Sequence, residues 1–112
     1  FERLKSKKEI SFVFDKGVGV SFFPIKLFFI KNSEKQRSNV TFTVGKKNLG
    51  SAVDRNKTKR LMREVFRLNF QEKSEFLGRS LVFVYLGKDV TSFESIEKGF
   101  FGVFKKFISK KN

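Results

Sequence analysis

Seven arginines stand against 18 lysines in this chain, yet Arg55, Arg60, Arg63 and Arg67 fall within thirteen residues. Lysine is the default cation, so arginine concentrated in one segment points to geometry as well as charge. A guanidinium offers a planar fork of donors that engages phosphate bidentately and stacks on bases. Placed on a helix, Asn56, Lys59, Arg60, Arg63 and Arg67 fall within roughly 100° of arc. Leu61, Met62, Val65, Phe66 and Leu68 form the opposite, apolar face, and only Glu64 interrupts the cations, from the margin. Upstream, the loop Gly45 to Val53 carries Lys46 and Lys47 toward the helix N-terminus, where Arg55 and free N–H groups add donors. Any surface helix of a basic protein shows some cations. A merely solvated face, however, interleaves them with acids at i, i+4 spacing to relieve repulsion, and the run from Asn56 through Arg60 and Arg63 to Arg67 carries no acid of its own. This face is built to meet phosphates.

A second constellation combines aromatic and basic side chains. On a helix from Lys7 to Lys16, Ile10, Val13 and Phe14 share a side while Phe12 points away. On the extended run Pro24 to Lys31, Lys26, Phe28 and Ile30 share one sheet face, and Ile25, Leu27 and Phe29 the other. An aromatic beside a lysine on an uncovered sheet face would serve as a platform for unpaired bases. The same spacing is equally that of an ordinary core, and periodicity does not decide between the two.

The rest of the composition narrows the chemistry. The net charge is +14 over 112 residues, with no cysteine and no histidine. So much charge of one sign calls for a polyanionic partner. The missing residue types remove thiol nucleophiles, zinc knuckles and the usual general base at neutral pH. No phosphate-cradling glycine loop of the nucleotide-cofactor kind is present. Glu64, Glu72 and Glu75 are scattered rather than clustered as a metal site would need. The 17 phenylalanines argue for a folded core rather than disorder. The longest apolar runs, split at Lys26, are too short to span a bilayer. No signal peptide is visible, and a cytoplasmic location is the expectation.

The elements that must position these residues follow in order. Gly17 ends the first helix; Val18 to Phe22 and Pro24 to Lys31 read as strands, Asn32 to Asn39 as a loop, and Val40 to Val44 as a half-buried strand. The two long strands, so joined, are expected to pair antiparallel. Asp54 is the expected N-cap of the cationic helix, which runs to about Phe70. Ser80 to Leu86 is a strand buried on both faces, and a final helix from about Ser92 is expected to open with Thr91 and Glu94 in capping-box spacing. Its apolar stripe is Ile96, Phe100, Val103, Phe104, Phe107 and Ile108, weakened by Gly99 and Gly102. The order predicts one α+β domain over residues 1–112, with a mixed sheet if the last strand joins in parallel.

The run from Ala52 to Glu64, A-V-x-R-N-x-x-K-R-x-x-R-E with a lysine pair upstream, resembles the RNR signature of the bacterial ribonuclease P protein subunit. The likeness extends over the whole chain, from Leu4-Lys5 to the terminal helix. It implies a small two-layer α+β sandwich with a mixed sheet of about four strands and three helices. The signature helix would sit in a left-handed crossover between parallel strands, against the usual rule. It also implies a non-catalytic subunit that joins a large catalytic RNA in removing the 5′ leader of precursor tRNA. Arg55, Asn56, Lys59, Arg60 and Arg63 fall on signature positions implicated in RNA contact. The leader cleft would fall on Ile10, Phe14 and Phe28, with Lys26 beside it. Ile10 stands where the family pattern has phenylalanine, and the loop from Lys46 to Val53 is one residue longer than the common spacing. The partners implied are the catalytic RNA and precursor tRNA, with no membrane and no DNA, and Mg²⁺ held mainly by RNA. A structural RNA-binding protein of the ribosomal type fits the composition as well; the signature and the leader cleft separate the two.

Overall fold

In the computed structural model, residues 1–4, 6–32 and 37–110 are described, Glu2 by its backbone alone. Lys5 and part of the loop expected between Asn32 and Asn39 lie outside them. A two-residue strand β1 (Glu2–Arg3) precedes helix α1, whose bounds are Lys7–Lys16 as the periodicity predicts. The Ser6 hydroxyl caps α1 by accepting from the Glu9 N–H (3.3 Å), and the Gly17 N–H closes it by donating to the Val13 carbonyl (2.8 Å). Then come β2 (Val18–Phe22), β3 (Ile25–Lys31), β4 (Asn39–Val44), α2 (Ala52–Asn69), a 3-10 turn at Ser74–Phe76, β5 (Arg79–Tyr85) and α3 (Phe93–Lys110).

The sheet order is β1-β4-β5-β3-β2. β3 and β4 therefore do not pair, contrary to the hairpin expected from their separation. β5 lies between them, antiparallel to β3 and parallel to β4. The physical reason is the composition of β5: six of its seven residues are buried, and only a central strand has both faces and both edges covered. That demand overrides the local preference of neighbouring strands to form a hairpin. Four long strands and three helices make the α+β fold, with the short β1 added at one edge.

The topology carries a constraint of handedness. β1, β2, β4 and β5 all point the same way, and β3 opposes them. The crossover β1-α1-β2 passes over one face of the sheet and β4-α2-β5 over the other. Both move in the same direction along the strand order, so they have opposite hands. One of them must break the right-handed rule, and the family resemblance assigns that exception to α2.

α2 and α3 pack on one sheet face over a core rich in phenylalanine. Phe66, Phe70, Phe76, Phe83, Phe100 and Phe107 are each 2% exposed or less. The rings of Phe42, Phe83 and Phe100 stack in series at 5.8 and 4.6 Å between centroids. The two glycines of α3 are explained here. A Cβ on Gly99 would come within 2.8 Å of Ile25, and one on Gly102 within 2.2 Å of the Phe22 ring, so both let α3 lie close against β2 and β3. On the reverse face α1 covers a smaller cluster of Leu4, Val13 and Val82, with Ile10, Phe28, Ile30 and Val84 partly buried around it.

Two helix starts and two edges of apolar stripes differ from expectation. Ser51, not Asp54, caps α2; its hydroxyl accepts from the Asp54 N–H (3.3 Å), leaving Asp54 in the first turn facing the helix dipole. Ser92, not Thr91, caps α3 by accepting from the Ser95 N–H (3.2 Å). Leu68 is 56% exposed rather than part of the apolar face of α2, whose buried set is Thr58, Met62, Val65 and Phe66. Ile108 likewise faces solvent near the end of α3, and Phe104 is only partly buried.

Candidate nucleic-acid interface

The amphipathic register of α2 buries Met62, Val65 and Phe66 and turns Asn56, Arg60, Arg63 and Arg67 outward, all exposed, with Lys59 half-buried beside them. Helical periodicity alone thus creates the cationic face. Two cations of α2, Arg55 at its start and Arg67 on the face, also have internal hydrogen-bond partners. The Arg55 Nη1 donates to the carbonyls of Leu49 (2.9 Å) and Gly50 (2.8 Å), stapling the incoming loop to the helix. Arg67 Nη2 pairs with Glu64 Oε1 at 2.5 Å, so the stripe does hold one acid-base pair. That contact corrects the expectation of an unrelieved row. The Arg67 hydrogen bond holds the Glu64 carboxyl below its ordinary range, and the same bond raises the Arg67 guanidinium.

The preceding loop is held rather than loose. The Asn48 side-chain amide donates to the Leu86 carbonyl (3.0 Å) and the Gly87 carbonyl (3.2 Å), and Leu49 is buried in the core. Between these anchors Lys46 and Lys47 ride on a turn with both side chains exposed, close in sequence to the α2 N-terminus. Cations on an anchored turn lose less freedom on meeting a phosphate than cations on a free loop.

A groove of about 680 Å³ joins the two constellations read from sequence. One wall is Ile10 and Phe14 of α1; the other is Asn56, Lys59, Arg60 and Arg63 of α2; Thr41 and Thr43 of β4 lie between them. The cause is β1. It pairs only with Asn39 and Val40, so the remainder of the β4 edge has no neighbouring strand and the two helices flank an opening. From there the surface continues across Phe14 to Phe28, whose rings meet edge-on at 5.0 Å, and on to Lys26, whose ammonium lies 4.8 Å from the Phe28 ring centre. Phe14 is 42% exposed, and Phe28 and Lys26 are half-buried.

Arg55, Arg67, Lys46 and Lys47 do not line the groove, whereas Phe1 and Arg3 do. Phe1 is seated by its edge-on contact with Phe66 at 4.8 Å, and Arg3 is exposed at the groove's end. Those two, with Thr41 and Thr43, are missed by the sequence reading. The alternation Val40-Thr41-Phe42-Thr43-Val44 does place both threonines off the core face, but nothing local reveals that this strand borders an opening. Among the described residues no group of three His, Cys, Asp or Glu is placed to hold a metal ion. The groove offers guanidinium, ammonium, amide, hydroxyl and aromatic groups, a set chemically able to hold phosphates and bases.

Comparison with known proteins is consistent along the whole chain. The family model described as Ribonuclease P matches residues 1–108. The ribonuclease P protein component of Porphyromonas gingivalis is 30% identical over 104 residues, which span 87% of this chain and 76% of that protein. That of Clostridioides difficile is 33% identical over 111 residues, spanning 95% and 94%. The RNase P protein of Staphylococcus aureus superposes with a TM-score of 0.80 at 27% identity, covering 98% of this chain and 96% of the other. That of Thermotoga maritima gives 0.77 at 26% identity, covering 95% and 97%.

Proposed function

The chain belongs to the ribonuclease P protein family, whose members are the protein component of a ribonucleoprotein endoribonuclease, and from that premise we propose that it binds the catalytic RNA and the 5′ leader of precursor tRNA and assists removal of that leader. The cationic face of α2 and the Lys46-Lys47 turn hold the catalytic RNA, mainly through phosphates. The α1 wall, continued by Phe28 and Lys26, receives the single-stranded leader. The observation that carries this reading is the groove itself, because it places Ile10 and Phe14 opposite Asn56, Lys59, Arg60 and Arg63. The catalytic RNA on the α2 wall and the leader on the α1 wall would thereby be brought side by side, phosphates toward the cations and bases toward the apolar side chains.

Arg55 acts on two levels in this reading. Its loop staple positions Lys46 and Lys47, and its place at the start of α2 adds charge for RNA. Mg²⁺ is held mainly by the RNA, since the protein's contribution is to neutralise phosphates and so lower the concentration of Mg²⁺ that the RNA needs to fold. No helix among the described residues is long and apolar enough to cross a membrane, and the proposed site of action is the cytoplasm.

The test is cleavage of precursor tRNA at low Mg²⁺ by the protein alone, the catalytic RNA alone, and the two together. Activity in the mixture alone, with correct 5′ ends, is the expected result. Tight RNA binding by folded protein without rescue of cleavage would instead support a structural RNA-binding role.

A further inference from the structure

α1 has two flanks, and the groove uses one. On the helix, Val13 points down onto the sheet, with Ile10 and Phe14 to one side and Phe12 to the other. Phe12 is 53% exposed. It does not line the groove. It borders a separate pocket of about 430 Å³ between α1 and the end of β3, walled by Phe12, Val13 and Ile30. That is within the size range of small-ligand sites. Lys8, one turn before Phe12, and Lys31 stand at its rim, with Glu9 the one acid among them.

We propose that this pocket is a second nucleobase site, taking one unstacked base of single-stranded RNA against Phe12 and Ile30 with its flanking phosphates on Lys8 and Lys31. The proposal rests on the RNA-binding reading above but concerns the opposite flank of α1. A partly apolar pocket alone would not name its occupant. Two lysines at the rim, in a chain of net charge +14, select a polyanion that carries flat rings. Glu9 weakens the rim field without reversing it. The base would belong either to the catalytic RNA or to the leader of the precursor, and both present the same chemistry.

The chain contains no tryptophan, so Phe12→Trp introduces a single indole, selectively excited apart from Tyr85, whose emission is quenched when a base stacks on it. Phe23→Trp serves as control, since Phe23 is 70% exposed and lies at the far end of β3 from Ile30 and Lys31. Quenching at position 12 and not at 23 on adding the catalytic RNA supports the proposal and assigns the base to that RNA. Quenching at 12 only when precursor tRNA, and not mature tRNA, joins the reconstituted complex supports it and assigns the base to the leader. In parallel, Phe12→Ala, which removes an exposed side chain, should weaken binding of the assigned RNA about tenfold. An unquenched indole in the Phe12→Trp protein, with both RNAs still bound at unaltered affinity, overturns the pocket while leaving the general reading intact. Failure of the unaltered protein to bind either RNA overturns both.

Discussion

On the sheet face covered by α2 and α3, strands β3 and β5 present Leu27, Phe29, Leu81 and Phe83, each 4% exposed or less. On the face covered by α1 the same two strands present Lys26, Phe28, Ile30 and Val84, all half-buried. Two helices of 18 residues seal the first face; one helix of ten residues crosses the second and buries little beyond Leu4, Val13 and Val82. The same backbone thus does two jobs. The sealed face supplies the hydrophobic stabilisation of the fold. The open face keeps apolar surface in contact with water, forgoing burial that a longer α1 would have provided, and keeps it beside lysines.

The largest expected effect tests the sealed face. Phe66→Ala removes a fully buried ring in contact with Phe1, Phe42, Phe70, Phe76 and Phe83, and should cost about 3–5 kcal/mol in urea unfolding. Phe14→Ala, on the open face, should cost less than about 1 kcal/mol, as exposed positions do. Comparable losses at the two positions would break the comparison, because Phe14 would then belong to the core. The next effect is in binding. Phe14→Ala should weaken affinity of the reconstituted complex for precursor tRNA by about 1–3 kcal/mol and leave mature tRNA nearly unaffected. Equal losses for both substrates would remove Phe14 from leader recognition.

The two faces also differ in how much of them was legible in the sequence. The cationic face of α2 was readable because its signal is local: one period of 3.6 residues, sampled by five side chains, against an apolar set. The bounds of α1 and the strand Val18–Phe22 were readable for the same reason. The place of β5 was not, since it depends on which strand most needs two covered faces, a property of the whole sheet. The caps shifted to Ser51 and Ser92 because a cap must be the residue at which the chain leaves extended geometry; Ser51, at φ −80° and ψ 129°, is that residue, and Asp54 is already helical. The groove was the least legible feature. Its two walls were each identified, but their meeting depends on β1 stopping after Arg3, which no periodicity announces.

Smaller effects separate the cations of α2 from one another. Arg60 is exposed, lines the groove and faces the α1 wall. Arg60→Ala should therefore lower the slope of log affinity for the catalytic RNA against log salt by about 0.7–0.9, the share of one phosphate contact. An unchanged slope with unchanged affinity would remove Arg60 from the interface and leave the open face to act through its aromatics alone.

Arg67 lies outside the groove and is engaged by Glu64, which makes it the weakest member of the row and the sharpest test of where the cationic face ends. Both side chains of the pair are about half exposed, so the bond contributes little to folding. Its consequence is for binding: a guanidinium already facing a carboxylate releases less counterion when a phosphate arrives. Glu64→Gln should free the fork and steepen the salt slope by less than the full value of one contact, roughly 0.3–0.5. If Arg67 lies beyond the RNA, only long-range repulsion from Glu64 is relieved. Screening over about 8 Å at physiological salt then leaves the slope unchanged. The pH dependence is a second readout. The folded Glu64 carboxyl titrates below its ordinary value, so its pairing is complete above that value and is lost only as pH falls through the lowered one. The difference between Glu64→Gln and the unaltered protein should therefore be flat from about pH 6 to 8 and shrink only in acid, where the native carboxyl takes up its proton.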